Sequence, residues 1–114
     1  MRTNGAIDYV ELPGKNLPEI KRFYAAAFGW RFLDYGPTYV AVEGAGLDGG
    51  FQGDPNEMPE KPLVILYAQD LEGMLEEVRA AGGDVVRPIF SFPGGRRFHF
   101  RDPGGNELAV WSDS

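Results

Sequence analysis

The chain has 114 residues, no cysteine, one histidine and a formal net charge of −6 at neutral pH. Without cysteine there is no disulfide, thiolate nucleophile or thiolate metal site, and a single imidazole excludes a two-histidine metal centre built within one chain. A pI near 4.7 with no basic stripe argues against nucleic acid or anionic membrane as partner, and no segment approaches the roughly 20 apolar residues of a membrane span; a soluble, unexported, cytoplasmic protein is expected.

In chain order, "AIDYVEL" reads as a strand. "NLPEIKRFYAAAFG" then reads as a helix, with Asn16 as N-cap, Glu19 three residues later, apolar positions Leu17, Ile20, Phe23, Tyr24, Ala27 and Phe28 at helical spacing, and Gly29 as the stop. Glycine-broken β-rich sequence follows, "TYVAVEG" and "GGFQG". "GDPNEMPEKP" carries three prolines and alternating charge, which suits an exposed connection rather than a packed element. The plan then repeats: the strand "PLVILYA", and the helix "DLEGMLEEVRAAGG" with Asp70 as cap, Leu71, Met74, Leu75 and Val78 as apolar stripe and Gly82 or Gly83 as stop. Last come the strands "RRFHF" and "NELAVW", joined by "RDPGGN". In that turn Pro103 fixes its φ, and Gly104, Gly105 and Asn106 tolerate left-handed backbone, so its first role is to reverse the chain. The two caps lie 54 residues apart (70 − 16). Strand, helix and about three strands, given twice, indicate one domain with a duplicated module: residues 1–53, a linker at 54–62, and residues 63–114.

Three stretches, "YVELPGKNLPEIKRFYAAAFGW", "DLEGMLEEVRAAGG" and "GGRRFHFRDPGGNELAVWS", in this order and spacing, resemble the vicinal oxygen chelate superfamily of glyoxalase I, bleomycin-resistance proteins and extradiol dioxygenases. The resemblance covers nearly the whole chain. It implies an α+β fold in which two βαβββ modules curl into an open, cup-like eight-stranded barrel, commonly in a homodimer. It also implies, for members that are enzymes, one divalent metal held by His, Gln or Glu side chains from four strands. Carried over residue by residue, those four positions fall on Tyr9, Leu63, Ala109 and, within a residue or two, Gly50. Leucine, alanine and glycine offer no side-chain donor, and a neutral tyrosine is a poor one for a hard cation. The usual metal site is therefore expected to be absent. Glu11, His99 and Glu107 hold the ligand chemistry from which a substitute would have to be built.

The resemblance places His99 on the cup wall and turns Phe98 and Phe100 towards the helices, as strand alternation requires. His99 is then a ligand contact or proton carrier; the plainer reading is a strand histidine between Arg97 and Arg101. Glu11, between Val10 and Leu12, must be solvated by the cup or paired, since burying a lone carboxylate is costly. Tyr9, Tyr67 and Trp111 offer ring faces to a planar ligand, or simply fill a core. Arg96 and Arg97 hold an anion at the rim or are solvated. Alternation puts Glu107 on the side of Ala109 and Trp111. The leading expectation is a homodimeric small-molecule-binding protein without cofactor, akin to the sequestering resistance proteins, with Tyr9, Glu11, Tyr67, Arg97, His99, Glu107 and Trp111 as the ligand set. The alternative is a lyase, isomerase or dioxygenase-like enzyme using Glu11 and His99 as an acid/base pair, or one divalent metal in an unusual site. A structural or interaction module with an unused cup is the third.

Overall fold

The computed structural model describes residues 2–114. Its elements in chain order are β1 (Ile7–Pro13), α1 (Leu17–Phe28), β2 (Arg31–Asp34), β3 (Tyr39–Glu43), β4 (Gly49–Gln52), β5 (Leu63–Tyr67), α2 (Leu71–Ala80), β6 (Asp84–Phe92), β7 (Gly95–Arg101) and β8 (Glu107–Ser112). This is βαβββ twice over, a mixed α+β fold as the repeat predicts. The chain forms two compact units, Tyr9–Leu63 and the residues up to Asp8 together with Val64–Ser114. No described helix is long and apolar enough to cross a membrane.

In the Tyr9–Leu63 unit, β1 runs parallel to β4, with Glu11 opposite Gly50, and β4, β3 and β2 follow as antiparallel neighbours. Asn16 caps α1 from a left-handed conformation, φ 64°, and its side chain accepts from the Glu19 N–H; Gly29, φ 75°, closes the other end. Leu17, Ile20 and Tyr24 pack on Val40, Val42 and Phe51, and Trp30 stacks on Tyr24 with ring centroids 4.5 Å apart. The predicted apolar stripe is wider than the sheet can cover, for Phe23 and Phe28 are 55% and 63% exposed. Phe23 lies about 100° around the helix from Tyr24, and Phe28 is its last residue.

In the second unit, β5 is parallel to β8, and β8, β7 and β6 follow antiparallel. The Asp70 carboxylate accepts from the Gly73 N–H at 3.1 Å, the N-cap expected of it. Leu71 and Leu75 meet Ala68, Phe98 and Val110 in a core that Met74, Val78, Val85, Ile89 and Phe100 close. The α2 stripe and both phenylalanines thus stand where helical and strand periodicity put them. Strand β6 contains Pro88, and its pairing shifts between Arg87, opposite His99, and Phe90, opposite Arg97. Pro88 and Ile89 together face the single residue Phe98, a bulge on an edge strand, and both settings tolerate a proline. The turn into β8 is tied by Asp102, whose carboxylate accepts from the backbone N–H groups of Gly104 and Asn106 at 2.8 and 2.9 Å, with Gly105 at φ 88°. That turn fixes the register in which His99 faces Ala109 and Arg101 faces Glu107.

Candidate functional site

Because Phe98, Phe100 and Val110 point to α2, alternation sends Tyr67, Arg97, His99, Ala109 and Trp111 to the other face of the second unit's sheet. His99 is 6% exposed, and its Nδ1 lies 2.9 Å from Glu107 Oε2. An ionised carboxylate only accepts, so Nδ1 carries the proton and Nε2 keeps its lone pair. That Nε2 is buried and makes no hydrogen bond. Burial holds the imidazole pKa below its ordinary value; the bond to Glu107 works the other way, and the charges of Arg97 and Arg87 add to the lowering. Phe90 lies beside the imidazole, centroids 5.9 Å apart. The Arg87 guanidinium sits 3.6 Å over the Phe90 ring and that of Arg97 5.3 Å from it. A neutral imidazole acceptor is thus set beside an aromatic ring and two guanidinium groups.

Tyr67 and Trp111 meet edge to face at 5.5 Å. Their polar tips are already engaged: Trp111 Nε1 donates to Asp8 at 3.0 Å, and the Tyr67 hydroxyl donates to Asp113 at 2.9 Å. Arg2 bonds the same Asp8 oxygen at 3.2 Å, and its guanidinium lies 4.8 Å from the Trp111 ring centre. With these tips engaged, what is left of the two side chains is ring surface, and Tyr67 is itself only 8% exposed. Arg96 donates to Glu72, at the start of α2, and to the Ser114 carbonyl, so it serves as a tie between elements.

Tyr9 and Glu11 stand in the other unit. The Tyr9 hydroxyl is hydrogen-bonded to that of Tyr39. The two phenol oxygens fill the space that a Cβ at Gly50 would need. Burial raises the Tyr9 pKa, the Tyr39 bond lowers it, and nearby Glu11 raises it again, so Tyr9 remains a neutral phenol. Glu11 is 4% exposed. Tyr39, Arg87 and Phe90 are not legible as site residues in the sequence. Tyr39 reaches Tyr9 only through the β3–β4 and β4–β1 registers, and the β6 residues are placed by the bulge; neither leaves a local pattern.

The residues at the four positions to which the resemblance carries the metal ligands do not fit a metal. Leu63 and Ala109 are buried and carry only carbon, Gly50 is closed over by two phenols, and Tyr9 is a neutral phenol already bonded to Tyr39. Among the described residues no group of three or more His, Cys, Asp or Glu side chains is placed to hold a metal ion.

Among known proteins, CFP32 of Mycobacterium tuberculosis, provisionally named a glyoxylase, is 26% identical over 118 residues, covering 94% of this chain. The chain spans 45% of the length of that protein. Among the solved structures that share the fold are the following three. The hypothetical protein BH1468 from Bacillus halodurans matches with TM-score 0.77 at 11% identity, over 98% of this chain and 96% of that one. Methylmalonyl-CoA epimerase from Mycobacterium tuberculosis matches with TM-score 0.71 at 14% identity, over 100% and 93%. The Mn(II)-bound glyoxalase from Novosphingobium aromaticivorans matches with TM-score 0.67 at 22% identity, over 98% and 40%. Residues 6–110 match the family model described as Glyoxalase/Bleomycin resistance protein/Dioxygenase superfamily, and to that superfamily the chain belongs.

Proposed function

We propose that this chain is a small-molecule-binding member of the superfamily that works without the family's metal, holding its ligand on the face formed by Tyr67, Arg97, His99 and Trp111 with Glu107 as support. The observation that carries this reading is the side-chain chemistry at Tyr9, Gly50, Leu63 and Ala109, none of which supplies a metal ligand. The ring surfaces of Phe90, Tyr67 and Trp111 suit a planar molecule. Tyr9, Tyr39 and Glu11 form a second polar group on the first unit, and we assign them to ligand recognition as well. We place the protein in the cytoplasm, in keeping with its lack of cysteine. One observation favours a catalytic variant of this reading: a neutral imidazole oriented by a carboxylate is the arrangement of a general base. In that case the reaction is a proton transfer on the bound molecule, as in a lyase or isomerase.

Elemental analysis of protein purified without chelator tests the reading. Substoichiometric metal is expected, together with quenching of tryptophan fluorescence by planar aromatic compounds that persists in EDTA. One tightly held Mn, Fe, Ni or Zn per chain, or binding abolished by EDTA, would overturn it. We also propose a homodimer, supported by the exposed Phe23, Phe28 and Leu33. Sedimentation at micromolar concentration is expected to show twice the 12.6 kDa chain mass, and a 12.6 kDa species alone would refute the dimer.

A further inference from the structure

We propose that His99 and Glu107 form a subsite for an uncharged hydroxyl group on a planar ligand, with His99 Nε2 accepting the hydrogen bond. This rests on the reading of the face as a small-molecule site and names the group that the site selects.

The Glu107 carboxylate, 2.9 Å from Nδ1, can only accept, and so fixes the proton on that nitrogen. The lone pair is thereby directed to Nε2, which is buried and without a hydrogen bond. A buried acceptor left in this state costs stability, and a ligand donor placed against it recovers that cost. The surroundings decide which donor. Arg97 and Arg87 oppose a further positive charge beside the imidazole and Glu107 only partly offsets them, so the neutral hydroxyl is the donor we assign rather than an ammonium group. Phe90, 5.9 Å from the imidazole, supplies a flat wall against which a ring carrying that hydroxyl can lie. A ligand bearing only a carbonyl or ether at this point would leave Nε2 as it is. Glu107 acts through His99 and is a positioning residue. Its side chain is 44% exposed, so its removal does not open the core.

The probes are 2-naphthol and 2-methoxynaphthalene, which share a ring and differ in the one proton. Equilibrium dialysis against the full chain is expected to show naphthol binding tighter than its more hydrophobic ether by about tenfold. In His99→Phe, with the fold checked by circular dichroism, the ratio is expected to fall to about one. In Glu107→Ala the ratio should shrink, and the imidazole ¹⁵N shifts should report a mixture of tautomers where the unaltered protein shows Nδ1–H alone. Equal binding of the two probes, a preference that survives His99→Phe, or an Nε2–H tautomer in the unaltered protein would each overturn the proposal, and the last needs no variant to fold. If neither probe binds while other planar compounds quench tryptophan fluorescence, the hydroxyl subsite is wrong and the small-molecule reading stands. If no compound binds at all, both fall.

Discussion

Replacing Phe98 by alanine is expected to lower the unfolding free energy by about 3–5 kcal/mol, read as a fall in the urea midpoint with an unchanged slope. The ring is completely buried on the helix side of β7, among Ala68, Leu71, Leu75 and Val110, with Phe100 at 6.3 Å. The cost is large because α2 and the sheet close on the ring from both sides and the backbone ladder prevents their collapse into the void. Phe23→Ala is the informative control. That ring is 55% exposed and leans edge-on against Tyr24 at 5.0 Å, so a loss of about 1 kcal/mol or less is expected. Similar losses from the two substitutions would mean that the outward and inward faces of these elements are wrongly assigned.

The second large effect concerns His99 and pH. Burial lowers its folded-state pKa below the unfolded value of 6.5. Between the lowered pKa and 6.5 the unfolded chain binds more protons than the folded one, so stability rises with pH through that window. It is fully present above about 6.5 and declines as acid charges the imidazole of the unfolded chain while the folded one stays neutral. The charged groups around the ring are Arg87 on β6, Arg97 and Arg101 on β7 and Glu107 on β8. Carboxylates contribute a slope of the same sign at lower pH, so the measurement is the difference between the parent protein and His99→Gln in urea titrations from pH 5 to 8. The parent is expected to lose stability relative to the variant as pH falls through the window. No difference in slope would mean that His99 titrates like a solvated imidazole.

Much of the fold was legible, for reasons that particular residues make plain. Asp70 and the spacing of Leu71, Met74, Leu75 and Val78 define α2 locally, and the core needs nothing further from it. For α1 the same pattern admitted Phe23 and Phe28, since spacing reveals a helix face but not how much sheet lies beneath it. Strands β2 and β6 were counted but not located, the first because it has four residues and the second because Pro88 breaks its pattern. The contact between His99 and Glu107 lay within reach of sequence: a tight "DPGGN" turn puts His99 opposite Ala109, and Glu107 is its diagonal neighbour. Arg87 and Phe90 were not, because the bulge decides which β6 residues face the imidazole. Nor was the engagement of Trp111 by Asp8, a contact between the two ends of the sequence.

The measurement that bears most directly on a metal-independent site at His99 is NMR of the single imidazole in the presence of EDTA, before and after adding a compound that quenches tryptophan fluorescence. The expected result is an imidazole with its proton on Nδ1, titrating below 6.5 in the free protein and shifting its Nε2 resonance when the compound binds. An imidazole that titrates at 6.5 and does not respond to a bound compound would contradict it.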